Sequence, residues 1–321
     1  MKSDDITITP LTSTVGARVE GIDLRDDVIS DAAIATVREA LWQHNVIVLT
    51  GQHVGAEGQN RLMSFFGEVR PLPIFTFLGE KSASLAIDPK SGGNVDKDGK
   101  TKHGVTFAPR RGTTAVNDND VRVSEFQGWH TDSSFTPQLV QAASLRPEII
   151  PPVGGDTTFA SLCAAYNTLS PVFQQWLETL KAVHVVPQGY KQSIQIWQYG
   201  EDAEERFDNE YPPREHPLVV EHPHSHRKAL FASPGYVLRI AGMSDKESIH
   251  TLRFLYNHIA TPDHVYRHHW HPGDIVVWDE LVCLHLAPQD YYPHERRLVR
   301  VTSGLATPIS PSAARDAVAV G

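Results

Sequence analysis

The sequence has 321 residues, of which 40% are hydrophobic and 21% charged, and its formal net charge is −9 with histidine neutral. A chain of this length can bury a sizeable core. An acidic balance without a basic block argues against nucleic acid and membrane surfaces as partners. The acidic start "MKSDD" lacks the apolar run of a signal peptide, and two cysteines make neither a disulfide framework nor a zinc spacing. We therefore expect a cytoplasmic protein.

The hydrophobic pattern of the first half predicts short strands separated by helices. Alternating or continuous apolar residues predict strands within 6–24 and 45–51. Apolar residues at helical spacing predict helices over 30–44, over 56–69 and across much of 161–182. Ser30 is placed to cap the first of these helices.

The second half contains one clear helix and many short strands. The helix begins after Ser244, which forms a capping-box pattern with Glu247. Strand-like pieces cut by glycine and proline lie on both sides of this helix, at 216–223, 228–240, 274–279, 282–287 and 296–304. Many short strands with a few helices outside them predict a mainly β fold, closed as a sandwich or barrel.

One segment, 88–127, differs in composition from the rest of the chain. It is rich in glycine, aspartate, lysine and asparagine, and so long a loop within a compact domain is usually a functional lid or disordered. We interpret the chain as a single domain over 1–307 with a lid-like insertion at about 88–127. Residues 308–321 are predicted to form a mobile C-terminal tail.

The motif "WHTDSSF" (129–135) contains two side chains of metal-binding type. On a strand, His130 and Asp132 would point to the same face, because alternate residues share a face. A third ligand could come from His285, which would share a face with Cys283 on the strand predicted over 282–287. Each feature alone is weak, since a lone histidine among apolar residues is more often a hydrogen-bonded core residue.

Two arginines near the end of the chain strengthen a functional interpretation. Arg296 and Arg300 would lie on one face of a strand with Leu298, with about 13 Å between the two arginine positions. Buried arginines need anionic partners, so the pair could serve two separate anions. Two histidines, one carboxylate and two anion receptors are typical of a non-haem Fe(II) oxygenase with an organic-acid cosubstrate. The alternative is a solvated edge strand.

The sequence resembles the Fe(II)/2-oxoglutarate-dependent taurine and phenoxyacetate dioxygenases, the TauD/TfdA family, over nearly the whole chain. The resemblance is carried by "GARVEGIDL", "NVIVLTGQ", "WHTDSSF", "GGDTTF", "IVVWDE" and "HLAPQDYYPHERRLVR". The two arginines also match in spacing, 11 and 15 positions beyond His285. This resemblance implies a double-stranded β-helix (jelly-roll) core with flanking helices.

The family resemblance also implies roles for individual residues. Iron would be bound by His130, Asp132 and His285. Arg296 and Thr157 would hold the distal carboxylate of the cosubstrate 2-oxoglutarate. The substrate would be bound by Arg300, at its acidic group, and by an aromatic wall at Tyr236. The implied reaction hydroxylates a small organic anion with O₂ while 2-oxoglutarate is decarboxylated to succinate and CO₂.

The sequence departs from the taurine-cleaving relatives at Leu72, which stands before Pro73 where they carry a substrate-binding histidine. Without that polar partner, and with Phe135 and Tyr236 offering aromatic surface, an aryloxyalkanoate or alkyl sulfate is favoured over taurine. Hydroxylation beside the ether or ester oxygen of such a substrate can make the product collapse. Asp132 excludes the halogenases of this superfamily, which replace that ligand by a small residue.

The sequence leaves three alternatives open: the protein is a sulfonate dioxygenase, a biosynthetic hydroxylase of a carboxylic acid, or a non-catalytic barrel that binds organic acids. A hydrolase is disfavoured because neither a nucleophile elbow nor a P-loop is present. The expected partner is a small anionic molecule, and we expect a homo-oligomer, either a dimer or a tetramer.

Overall fold

The computed structural model describes residues 6–26, 28–77, 84–87, 128–193, 196–288, 290–291 and 293–313. The predicted insertion at 88–127 and the last part of the predicted tail, 314–321, lie outside these residues. At the start of the tail, the carbonyl of Ile309 accepts a hydrogen bond from the backbone N–H of Glu221.

The described residues form a sheet-rich fold with flanking helices. The strands are β1 Thr7–Pro10, β2 Ala17–Glu20, β3 Val46–Leu49, β4 Ser84–Ile87, β5 Ala142–Ile149, β6 Thr157–Ser161, β7 Lys181–His184, β8 Arg214–Pro217, β9 Val219–Glu221, β10 Lys228–Leu230, β11 Val237–Ile240, β12 Val265–His268, β13 Ile275–Asp279, β14 Cys283–Leu286 and β15 Arg297–Ser303. The helices are α1 Asp31–His44, α2 Ala56–Ser64, α3 Pro73–Phe77, α4 Leu162–Asn167, α5 Pro171–Leu177, α6 Gln188–Ser193, α7 Ala203–Glu210 and α8 Asp245–Ile259. Short 3₁₀ turns lie at Ile196–Tyr199 and Pro262–His264.

Seven strands form the largest sheet, in the order β1-β2-β3-β13-β5-β15-β4. Its pairs are antiparallel except β2 with β3. Three smaller sheets have the orders β12-β6-β14, β11-β7-β8 and β10-β9. Sequence-distant strands are therefore neighbours, and β14 and β15 lie in different sheets although they are consecutive along the chain.

The central strands of the large sheet are apolar throughout because both of their faces are buried. On one face, Ile47 and Val277 belong to the cluster that includes the buried sides of α1 and α2. On the other face, Val48 and Trp278 pack in a cluster with Phe159 of β6 in the facing sheet. Burying each such side chain stabilises the fold by about 1.5–3 kcal/mol. The two sheets thus face each other across an apolar interior.

The helix ends predicted from capping residues are confirmed. The Ser30 side chain accepts a hydrogen bond from Ala33 N at the start of α1, and both halves of the capping box between Ser244 and Glu247 are present in α8. Asn45 ends α1 in the left-handed region, with φ of 63°. Such caps each contribute on the order of 1 kcal/mol.

Two of the predicted helices are shorter than the sequence pattern suggested. The helix predicted over 56–69 ends at Ser64, and the chain then turns toward Gly67, which has φ of 126°. A Cβ on Gly67 would lie only 2.8 Å from the Cα of Gly304, so close backbone approach requires glycine here. The predicted helical stretch 161–182 is divided into α4 and α5, because Pro171 begins a new helix, and its last residues belong to β7.

The outer side of the smaller sheets is covered by helices. Val282 and Leu284 pack in one cluster with Ala160 of β6 and with Leu252 and Leu255 of α8. Cys283, which lies between them in the sequence, packs in the interior cluster instead. The prediction that Val282 and Leu284 lie on the opposite face of this strand from Cys283 is therefore confirmed. Among the helices that the structure describes, none has both the length and the apolar character needed to cross a membrane.

Two buried histidines lie beneath the turn that follows Thr131. His184 Nδ1 is 3.0 Å from Ser134 Oγ, and His216 Nε2 is 3.0 Å from the carbonyl of Thr136. Their ring centroids are 5.1 Å apart. Burial lowers the pKa of His216 to about 4, and it places the pKa of His184 well below its usual value. Both are therefore neutral at pH 7.

We expect this histidine pair to make the fold acid-sensitive. Because the folded state lowers the pKa of His216, the unfolded chain binds more protons, and the free energy of unfolding falls as pH drops from about 6.5 toward 4. A shift from 6.5 to about 4 corresponds to roughly 3 kcal/mol. Denaturant titrations across this range should show a weaker pH dependence in His216→Gln than in the wild type. Equal dependence in the two proteins would contradict the expectation.

Candidate metal centre

The motif that contains His130 does not form the regular strand expected from the sequence. His130 makes one isolated bridge with His285, with backbone N–O distances of 3.1 and 2.8 Å. The chain then turns over residues 132–135, and Ser133 has φ of 59°. The bridge nevertheless brings the side chains together: His130 Nε2 lies 3.6 Å from Asp132 Oδ1.

His130, Asp132 and His285 form a compact, buried cluster, in which one ligand atom from each residue lies within 4.8 Å of the others. His130 Nδ1 is 2.8 Å from the carbonyl of Gly128, so its Nε2 is oriented into the cluster. A Cβ on Gly128 would lie 2.5 Å from the Leu286 side chain, and its φ is 98°, so glycine is required at this position. Two histidines and a carboxylate thus converge as the sequence motif indicated.

The electrostatics of the cluster fit a divalent metal ion. Burial lowers the pKa of both His130 and His285, and the neighbouring His130 and Arg300 lower that of His285 further. Both imidazoles are therefore neutral and offer lone pairs. Within the described residues, the buried His285 Nδ1 has no hydrogen-bond partner, which leaves a polar atom to be satisfied. Two imidazoles and one carboxylate form a donor set that suits non-haem Fe(II) and leaves coordination positions open.

Arg300 contacts the cluster directly. Its Nη1 donates a 2.7 Å hydrogen bond to Asp132 Oδ2, and both side chains are largely buried. The sequence predicted that Arg300 would need an anion of its own, and the structure shows that Asp132 supplies one. Such a charge-assisted contact is stronger than a neutral hydrogen bond.

Arg296 lies in a second polar site, one residue before β15. Its Nε donates to the carbonyl of Gly155 at 2.6 Å and its Nη2 to Thr157 Oγ1 at 3.0 Å. A register shift between Arg297 and Leu298 separates it from the regular part of the strand. Desolvation lowers the pKa of Arg296 to about 10. The two arginines thus have different partners, as two separate anion sites require.

The loop that contacts Arg296 depends on glycine. Gly155 has φ of 74°, and a Cβ there would lie 2.6 Å from Pro151 Cγ and 3.1 Å from Arg296 Cδ. Thr157 Oγ1 also accepts a 3.1 Å hydrogen bond from Trp270 Nε1. The "GGDT" sequence therefore lets the loop approach the guanidinium closely and fixes the threonine beside it.

Aromatic side chains form a wall beside the cluster of His130, Asp132 and His285. Tyr236 lies with its ring centroid 6.4 Å from that of His130 and 5.3 Å from that of Phe135. Tyr190 of α6 lies 6.4 Å from Phe135 and 6.1 Å from Tyr236. Leu72 packs in one apolar cluster with Tyr190. Tyr190 therefore contacts Phe135 and Tyr236 and shares an apolar cluster with Leu72, so it joins the three predicted pocket residues.

Sequence reasoning missed two residues of this site. Tyr190 lies beside the cluster through its contact with Tyr236, which packs against His130, and burial and the charge of Asp132 raise the pKa of its phenol. Its sequence context, "VVPQGYKQ", gives no signal for such a position. Glu280 is fully buried behind Asp132. A signal existed in this case, since "IVVWDE" ends a buried strand with two acidic residues.

Comparisons with known proteins agree with this geometry. Residues 7–302 match the sequence profile of the family described as "Taurine catabolism dioxygenase TauD, TfdA family". The chain is 27% identical over 304 residues to an alkylsulfatase of Acinetobacter baylyi, an alignment that covers 94% of this chain and 85% of the relative. It is 30% identical to an (S)-phenoxypropionate/alpha-ketoglutarate-dioxygenase of Sphingobium herbicidovorans, over 87% of this chain and 88% of the relative.

A solved structure shows the same fold. The crystal structure of a putative alpha-ketoglutarate-dependent taurine dioxygenase from Burkholderia xenovorans superposes with a TM-score of 0.74 and 27% sequence identity, covering 96% of each chain. The similarity therefore extends over the whole sheet framework that carries the three clustered side chains.

We expect His285→Ala to bind divalent metal at least about tenfold more weakly, because it removes one of the three candidate ligands. Mn(II) titration followed by electron paramagnetic resonance measures this directly. His264→Ala is the matched control, since this buried histidine bonds to Thr168 and His258 away from the cluster. Wild-type Mn(II) affinity in His285→Ala would show that His285 is not a ligand.

Proposed function

The chain belongs to the TauD, TfdA family of dioxygenases, and from this premise we propose that it hydroxylates a small organic anion with an apolar body. It is an Fe(II)/2-oxoglutarate-dependent dioxygenase that uses Fe(II), 2-oxoglutarate and O₂. The observation that carries the substrate proposal is the position of Arg300, a buried cation bonded to Asp132 within the candidate metal centre and beside aromatic side chains.

We assign the metal to His130, Asp132 and His285. Bound there, the iron would supply the oxidation of a C–H bond by O₂, coupled to decarboxylation of 2-oxoglutarate to succinate and CO₂. The protein's own contribution is positioning. The bridge between His130 and His285 fixes the two imidazoles, and the Gly128 carbonyl holds His130 in one orientation. Preorganised ligands of this kind leave the open positions to cosubstrate and O₂.

Arg296 and Thr157 are proposed to hold the distal carboxylate of 2-oxoglutarate. In the described part of the chain, the hydrogen bonds of the buried Arg296 guanidinium go to uncharged oxygens. A buried cation whose hydrogen bonds go to uncharged oxygens favours binding of an anion, and a guanidinium matches a carboxylate in geometry. The cosubstrate would supply that anion.

Arg300 is proposed to bind the acidic group of the substrate while it remains close to Asp132. A guanidinium carries five N–H donors, which is enough to serve the Asp132 carboxylate and a substrate carboxylate or sulfate together. Binding the acid group at this point would place the neighbouring carbon of the substrate next to the metal. The arginine thereby decides which C–H bond is oxidised.

The wall formed by Phe135, Tyr190, Tyr236 and Leu72 is proposed to bind the apolar body of the substrate. These side chains are buried and offer apolar and aromatic surface, which suits an aryl ring or an alkyl chain better than the small polar taurine. The names of the two relatives, an alkylsulfatase and a phenoxypropionate dioxygenase, are consistent with such substrates. We therefore propose an aryloxyalkanoate or alkyl sulfate, whose hydroxylated product can collapse.

Several finer features of the protein are part of the same proposal. The two facing sheets support a double-stranded β-helix core within a single domain over 1–307, with 88–127 as a lid-like insertion and 308–321 as a tail. The described cysteines, Cys163 and Cys283, are free and buried, which fits a cytoplasmic location.

We also propose that the protein forms a homo-oligomer and that it has no nucleic-acid or membrane partner.

Arg296→Ala should weaken 2-oxoglutarate binding by about 2–4 kcal/mol, because it removes a charge-assisted contact. Calorimetric titration of 2-oxoglutarate into the Mn(II)-loaded protein gives this value. Arg146→Ala is the control, since Arg146 of β5 contacts Gln59 and Glu148 instead. Loss of substrate binding with unchanged 2-oxoglutarate affinity would mean that the two arginines exchange roles.

A substrate panel tests the proposed function. We expect O₂-dependent succinate formation to be stimulated most by aryloxyalkanoates or alkyl sulfates, less by taurine, and least by neutral ethers of the same shape. Other carboxylic acids in the panel cover the alternative of a biosynthetic hydroxylase.

In Arg300→Ala, kcat/KM for acidic substrates should fall by roughly tenfold to several hundredfold, as expected for a lost charged contact. Because Arg300 also contacts Asp132, the Mn(II) affinity of the variant is measured in parallel. A neutral molecule that the wild type turns over best, with no effect of the substitution, would refute the proposed substrate class.

A further inference from the structure

Two consecutive buried carboxyl groups lie where β13 ends, and they have different surroundings: Asp279 is the last residue of the strand, and Glu280 follows it. Asp279 accepts a hydrogen bond from Leu281 N and lies 2.9 Å from His222 Nε2, away from the metal cluster. Glu280 lies behind the cluster instead, and neither residue is exposed to solvent. The role of Asp279 is local, since it joins its own turn to His222. The contacts of Glu280 extend to the segments that carry Asp132 and His285.

Glu280 is bonded to the segment that carries Asp132. Its Oε2 accepts hydrogen bonds from the backbone N–H of Asp132 and from Thr131 Oγ1, each at 2.8 Å. Thr131 Oγ1 also contacts the backbone carbonyl of Glu280. These contacts fix the peptide that immediately precedes the Asp132 side chain, at the point where the chain leaves its single bridge and turns.

The other oxygen of Glu280 is linked to the segment that carries His285. Oε1 accepts a 2.8 Å hydrogen bond from Trp278 Nε1. The Trp278 ring packs against the His285 imidazole, with ring centroids 4.8 Å apart and an interplanar angle of 49°. Glu280 itself is held in place by its backbone N–H, which donates to the carbonyl of Gln141. One carboxyl group therefore connects two of the three clustered side chains.

We propose that Glu280 is a positioning residue for the metal centre, which holds Asp132 and His285 in the geometry that binds a divalent ion. This inference rests on the proposed metal role of Asp132. Glu280 is not one of the three clustered residues; it acts through the Asp132 peptide and through the Trp278 ring. Partners that orient metal ligands typically change metal affinity 10–100-fold when they are removed, which sets the expected effect.

Three variants test the hydrogen bonds of Glu280. Glu280→Leu removes both acceptor oxygens, whereas Glu280→Gln keeps one oxygen that can accept a hydrogen bond from Asp132 N. Asp279→Asn removes the buried carboxylate immediately before Glu280, which is bonded to Leu281 and His222 instead. Mn(II) is the probe, and Kd is measured by electron paramagnetic resonance on folded protein, without turnover.

We expect Glu280→Leu to raise the Kd for Mn(II) about 10–100-fold, and Glu280→Gln to raise it less than about tenfold because one acceptor is restored. Asp279→Asn should bind Mn(II) like the wild type, and the Mn(II) signal of Glu280→Leu should broaden as the ligand geometry becomes less uniform. If Glu280→Leu does not fold, Thr131→Val replaces it: this change removes one of the links to Oε2, and it should raise Kd severalfold.

Two results would contradict the positioning role of Glu280. Wild-type Mn(II) affinity in Glu280→Leu, or in Thr131→Val if that variant is used, removes the positioning role, as does an equal loss in Asp279→Asn and Glu280→Leu. Asp132→Ala is measured beside them. If Asp132→Ala also binds Mn(II) like the wild type, the proposed metal centre itself fails. If only Asp132→Ala loses binding, the metal centre stands and the role of Glu280 is refuted.

Discussion

Two backbone hydrogen bonds between His130 and His285 hold the candidate site together. They join the segment before the 132–135 turn to β14, although the two residues are 155 positions apart in the sequence. Because β14 is itself paired with β6, the bridge fixes the turn against the smaller sheet. Asp132 lies just beyond it and reaches the cluster from the turn. The bridge thus gives the two histidines a direct backbone connection.

The layered core explains why so many polar groups can be buried at this point. The interior between the two sheets is filled by apolar side chains such as Phe159, Trp278 and Leu298, and the polar cluster lies at its margin. A buried charge is costly unless it is paired or hydrogen-bonded. Arg300 is paired with Asp132. The Glu280 carboxyl is hydrogen-bonded to two N–H groups and a hydroxyl. The site is polar but connected, which makes it rigid.

Arg296 differs from the other buried charges because its described hydrogen-bond partners are neutral. The fold therefore separates two kinds of arginine on one chain segment: one that bonds directly to a carboxylate of the protein, and one whose described hydrogen bonds go to a hydroxyl and to backbone carbonyls. This difference fits a site in which the cosubstrate brings its own charge to Arg296. At Arg300, by contrast, the proposed acidic substrate would share the guanidinium with Asp132, which would couple substrate binding electrostatically to a proposed metal ligand.

The sequence by itself determined the periodic and local features of this protein. Helix caps at Ser30 and Ser244 and the buried strands around Val277 and His285 follow from patterns of 2.0 and 3.6 residues and from capping chemistry. The family resemblance added the reaction class. The early ends of α2 and of α4 were not predicted, because a close approach to Gly304 and the start at Pro171 interrupt patterns that remain apolar beyond them.

Only the tertiary structure decided which groups meet. The turn at Asp132, its contact with Arg300, the position of Tyr190 beside the cluster and the links from Glu280 all depend on contacts between residues distant in the sequence. Periodicity gives the face on which a side chain lies but not its partner across another sheet. Partner choice is set by strand order and register, and these follow from how the apolar faces of the whole chain are buried together.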